Sequence, residues 1–144
     1  RRAARAAFRR AATPPGAAEL AARLGDDARV RGLNRRFRGI DQATNVLAFP
    51  ADEGAARPRQ PRILGDVVLA RGRVPREAAR QGKGLAQHVS HLVVHGVLHL
   101  LGHDHQADAE AETMERLEVA VLAALGVEDP YRLTTARLEA AGRR

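Results

Sequence analysis

Apolar positions recur along this chain with two periods, and each period marks a set of elements. Leu92, Val93, Val94, Val97, Leu98, Leu100 and Leu101 form a dense apolar run broken almost only by histidines. The spacing predicts a helix over about 85–101, apolar nearly all round, as in a core helix. Met114, Leu117, Val121 and Leu125 make a stripe on a second long helix over 107–125, with Gly126 as its stop. Strand-like runs lie at 63–70, the best in the chain, at 44–50, stopped by Pro50, and more weakly at 19–25. Residues 75–82 suit a helix with proline in its first turn and glycine at its end. Asp26 or Asp27 suits the cap of a short helix running to about Asn34. Residues 1–12 read as an Ala/Arg-rich helix broken by Thr13-Pro14-Pro15-Gly16, and 51–61 as an exposed loop. With no repeat and no dividing linker, residues 1–144 are expected to form one domain.

Composition narrows the picture modestly. The absence of cysteine excludes disulfides and thiolate metal sites. No apolar run approaches the ~20 residues of a membrane span, and no signal peptide is visible, so a cytoplasmic protein is expected. The net charge of +7 is unevenly spread: residues 1–38 hold eleven arginines, whereas residues 104–129 hold eight acids against Arg116 alone. The basic half suits a polyanion such as RNA. The acids crowd the first half of a helix, where the helix dipole favours them.

All six histidines fall between residues 88 and 105. His88, His91, His95 and His99 lie within roughly 80° of one helical face. His95 and His99 are one turn apart, so two imidazoles can reach one ion. Gly102 suits a helix stop, after which the chain can turn back and bring in His105. Three nitrogen ligands leave the fourth position of zinc open to water, the arrangement of a catalytic site. The spacing His-x3-His-x5-His is that of metzincin peptidases, but Gly96 stands where those carry a glutamate base. His88 and His91 suit supporting roles, and His103 is expected to point away from the ligands, to relay protons, contact substrate or simply be exposed.

Read with its neighbours, the segment His95-Gly96-Val97-Leu98-His99-Leu100-Leu101-Gly102-His103-Asp104-His105 resembles the signature of the bacterial YbeY endoribonucleases, with His103 in place of a tyrosine. Phe37-Arg38-Gly39, 44–50, Leu64-Gly65-Asp66-Val67-Val68 and 125–131 resemble other blocks of that family. Ala43 and Ala48 depart from its pattern, and the strand that usually precedes the first helix is not in this chain. The resemblance implies an α+β fold: a small mixed β-sheet packed with helices, including a metzincin-like zinc helix. It implies one Zn2+ per chain and single-strand-specific RNA cleavage in 16S rRNA 3′-end maturation and ribosome quality control. The implied partners are ribosomal RNA, the small ribosomal subunit, a small-subunit ribosomal protein and a ribosome-assembly GTPase, with no membrane.

The candidate site is therefore His95, His99 and His105 as metal ligands, with His95 and Arg38 as catalytic residues. A planar guanidinium suits the charge of a phosphodiester transition state. The alternatives for Arg38 are this role and a structural ion pair. The general base stays open among zinc-bound hydroxide, His103, the substrate 2′-hydroxyl and an unplaced residue. Two other functions stay open: a metallopeptidase-like hydrolase, and a non-catalytic zinc-stabilised ribosome- or RNA-binding factor.

Overall fold

The computed structural model describes residues 1–11, 17–51, 60–103 and 107–132. Its elements are α1 (Arg2–Ala11), β1 (Ala18–Gly25), α2 (Asp27–Arg38), β2 (Val46–Pro50), β3 (Arg62–Ala70), α3 (Arg73–Gln81), α4 (Leu85–Leu100) and α5 (Asp108–Ala124). The fold is α+β, with five helices around a three-stranded mixed sheet of order β1-β3-β2. β1 runs parallel to β3, and β2 runs antiparallel to it. The centre of the sheet is β3, which carries the most apolar strand sequence.

A bulge shapes β3. Glu19 pairs with Ile63, but Leu20 pairs with Gly65, so Leu64 is an extra residue. Gly65 has φ 135°, and a Cβ there would stand 2.1 Å from the Phe49 carbonyl oxygen. Only glycine fits that approach. The bulge puts Leu64 in one cluster with Val67 and Leu100, while Val68 and Ala70 pack with Val30 and Leu47. α4 thus covers one face of β3 and α2 the other. α1 and α5 then close over α4, with Ala7, Val94, Val97, Leu98, Met114, Val121 and Leu122 in one cluster.

The predicted elements are present, with boundaries within two residues except one, which moves by a full turn. α2 continues to Arg38 rather than ending near Asn34. The stop is Gly39, left-handed at φ 71°, whose N–H reaches the Arg35 carbonyl at 3.1 Å. The two aspartates divide their work. Asp26 caps α2 through the Arg29 N–H at 2.7 Å, and Asp27 accepts from the Arg73 N–H at the start of α3 at 3.0 Å. The break at 13–16 and most of the 51–61 loop lie outside the described residues. Among the described residues, no helix is long and apolar enough to cross a membrane.

Candidate active site

α4 runs through the middle of the fold, and its closeness to the sheet sets the site. A Cβ at Gly96 would lie 2.9 Å from Val67 Cγ1 and 3.1 Å from Cγ2. Real side chains do not sit so close to a buried core valine, so glycine here lets helix and strand approach. That packing turns the histidine face of α4 toward a cleft of about 680 Å³. Arg38, Thr44, Asn45, His91, His95, His99, His103 and Tyr131 all line it. α4 ends as its sequence indicates: Gly102 has φ 95°, and the His103 N–H returns to the Leu98 carbonyl at 3.0 Å.

Within the cleft, His95 Nε2 and His99 Nε2 face each other at 3.2 Å. Two nitrogens on one tetrahedral zinc lie about 3.3 Å apart, given Zn–N distances near 2.0–2.1 Å. On its other side His95 Nδ1 meets Glu118 Oε1 at 2.5 Å. A carboxylate only accepts, so Nδ1 carries the proton and the Nε2 lone pair is aimed into the gap. The pair therefore fits a divalent cation. Among the described residues no group of three His, Asp or Glu side chains gathers in a metal-holding arrangement. His105, the third ligand expected from the spacing, lies outside the described residues, as does Asp104.

Glu118 is the residue that sequence reasoning missed. It is fully buried on α5 and faces α4. Its Oε2 accepts from His91 Nε2 at 2.8 Å and from the Tyr131 hydroxyl at 2.5 Å. Burial opposes its charge, but hydrogen bonds from His91, His95 and Tyr131 outweigh burial and hold its pKa at about 2. Burial, together with the hydrogen bond and the charge of Glu118, pushes the Tyr131 hydroxyl well above the usual range, so it stays a donor. One signal was available in the sequence: Glu118 sits four residues after Met114 and three before Val121, within an apolar stripe where an acid needs partners.

A second, half-buried carboxylate network supports the Asn45 side of the cleft. Glu77 of α3 accepts from Asn45 Nδ2 at 3.0 Å, from Arg73 Nε at 3.0 Å and from His88 Nε2 at 3.1 Å. His88 and His91 thus both serve carboxylates, the supporting role expected of them. Arg38, exposed at the end of α2, reaches the cleft, and among the described residues it makes no ion pair. The structural ion pair weighed for it is therefore not seen. His103 lines the cleft, because the turn after Gly102 folds it back over the end of α4.

Fold and site together define a small α+β fold in which the central helix α4 presents a histidine pair, with His95 oriented by a carboxylate, to a cleft that Arg38 of α2 also lines. The fold is that of the solution structure of TM1509 from Thermotoga maritima, with a TM-score of 0.51 at 22% identity, covering 86% of this chain and 79% of that one. The family model described as Endoribonuclease YbeY matches residues 2–126. Endoribonuclease YbeY of Paramagnetospirillum magneticum is 59% identical over 121 residues, 82% of this chain and 74% of that protein. Those of Rhodopseudomonas palustris strain BisB5 and Bradyrhizobium sp. BTAi1 are 53% and 52% identical, covering 81% and 88% of this chain and 63% and 76% of the relatives. This chain belongs to the endoribonuclease YbeY family.

Proposed function

We propose that this chain is a zinc-dependent endoribonuclease that cleaves single-stranded RNA in 16S rRNA 3′-end maturation and ribosome quality control. The observation that carries this reading is the meeting, in one cleft, of the 3.2 Å His95–His99 pair with Arg38. His95, His99 and, by its spacing, His105 would hold one zinc ion per chain. When bound there, zinc supplies a Lewis acid and lowers the pKa of water toward ~7. The protein's own groups do the rest. Arg38 binds the phosphodiester oxygens and offsets the charge that gathers on them. Glu118 fixes the tautomer and direction of His95, and Tyr131 and His91 hold Glu118 in turn. His103 stands in the cleft to contact the strand or relay a proton. By the family resemblance, the partners are ribosomal RNA, the small subunit, one of its proteins and a ribosome-assembly GTPase, in the cytoplasm.

Two other readings are disfavoured. A metallopeptidase of metzincin type needs a glutamate at position 96, and the contact with Val67 leaves no room for its Cβ. A non-catalytic zinc-stabilised module gives no reason for an arginine in the histidine cleft that makes no ion pair among the described residues. The test is cleavage of labelled single-stranded RNA by zinc-loaded protein beside an identically purified His99→Ala variant. Cleavage by the wild type alone supports the proposal. Equal cleavage by both would assign the activity to a contaminant. No cleavage by either would move the reading to the non-catalytic factor.

A further inference from the structure

Most side chains bordering the cleft are donors or ambivalent groups: Arg38, Thr44 and the histidines. Asn45 differs, because its amide is oriented. Nδ2 donates to Glu77 Oε2 at 3.0 Å. Glu77 cannot return a proton. Burial opposes its charge, but hydrogen bonds from Asn45, His88 and Arg73 keep its pKa below the usual carboxylate range. The amide nitrogen therefore faces the carboxylate, and the carbonyl oxygen is the end left over. Among the described residues Asn45 Oδ1 accepts no hydrogen bond, and it is not among the buried polar atoms lacking a partner. Asn45 lines the cleft that holds Arg38, His95 and His99. The ladder anchors its backbone, since the Asn45 carbonyl accepts from the Ala70 N–H at 2.9 Å.

An acceptor fixed beside a phosphodiester-binding arginine selects for a donor on the sugar–phosphate chain. Phosphate has none at neutral pH, and deoxyribose within a strand has none. The ribose 2′-hydroxyl is the one donor such a backbone offers. We infer that Asn45 Oδ1, held outward by Glu77, accepts a hydrogen bond from a substrate 2′-hydroxyl and so makes the cleft prefer RNA to DNA. The inference rests on the RNA-directed reading above and adds the residue that discriminates the sugar.

The experiment is equilibrium binding of fluorescent single-stranded RNA and DNA of one sequence to the full chain. It is read by anisotropy in the cold, with a gel afterwards to confirm that the RNA is intact. A strand carrying 2′-fluoro groups, which cannot donate, is the third probe. The wild type is expected to bind RNA about five- to tenfold more tightly than DNA or the 2′-fluoro strand, the range of one neutral hydrogen bond. Asn45→Ala is expected to bring all three to one affinity while leaving DNA binding unchanged.

Glu77→Gln gives a second reading with side-chain volume preserved. Arg73 Nε can only donate, so the introduced amide keeps its oxygen toward Arg73 and turns its NH2 toward Asn45. The Asn45 amide then reverses, presents a donor to the cleft, and loses the preference for RNA. A wild type that binds RNA and DNA equally, or an RNA preference that survives both substitutions, would overturn the role of Asn45 and leave the RNA-directed reading standing. No binding of RNA would overturn the reading itself.

Discussion

Two carboxylates flank α4, and they differ in how deeply they are buried and in which side of the histidine cleft they support. Glu118 and Glu77 each accept three side-chain hydrogen bonds, and each serves a histidine in the first half of α4. Glu118 is sealed, with a side chain 1% exposed, and its network reaches the His95–His99 pair. Glu77 is 15% exposed, and its network reaches Asn45 on the facing wall, beside Arg38. Burial strengthens each hydrogen bond and raises the penalty for losing one. The sealed carboxylate is therefore placed where orientation matters most, at the imidazole proposed to hold the metal. The wetter one holds Asn45, the group proposed to meet substrate.

The largest expected effect separates the two by stability. Glu118→Ala leaves three donors without their acceptor in a dry interior and is expected to destabilise the fold by about 3–5 kcal/mol. Glu77→Ala, at a partly wet site, is expected to cost about 1–3 kcal/mol. Denaturant unfolding measures both, and equal losses would erase the distinction. Cation affinity sharpens it next. Glu118→Gln is expected to weaken zinc binding by about 10- to 100-fold in chelator competition, while Glu77→Gln leaves it unchanged. On the substrate wall, Arg38→Ala is expected to lower RNA cleavage by about tenfold or more, with zinc content intact, because a charge-assisted contact to phosphate is lost. Unchanged cleavage would remove Arg38 from the site.

The smallest effect concerns acid. Glu77 has a folded pKa lowered from 4.5, so its contribution to stability is fully present above that value. It fades as pH falls through the lowered folded value. Glu118, held at about 2, resists protonation deeper into acid. Glu77→Gln is expected to flatten the pH dependence of unfolding below about pH 4.5 relative to the wild type. An identical acid profile would mean that the Glu77 contacts contribute nothing to folding.

The helices and strands were legible because their periods are clean and their stops are explicit: Pro50, Gly102 and Gly126 end elements where the sequence indicates. The end of α2 was misjudged because Asn34 reads as a helix-ending residue. It is instead buried, with Nδ2 bonded to the Gln42 carbonyl at 2.9 Å, and the helix runs on to Gly39. The histidine face and Arg38 were legible from spacing and from family blocks. Glu118 was missed because it belongs to a run of acids that the helix dipole explains equally well, although its place in the apolar stripe of α5 was a signal. Glu77 and Asn45 are thirty-two residues apart and meet only through the fold. Gly96 read as a missing base; in the structure it is the close approach of α4 to Val67.

The most direct test of the central claim is calorimetric titration of zinc into the full chain, beside His95→Ala and Glu77→Gln. One site per chain, lost in the first variant and intact in the second, is the expected result. No binding by the wild type, or equal binding by His95→Ala, would contradict the assignment of the α4 histidines as the metal centre.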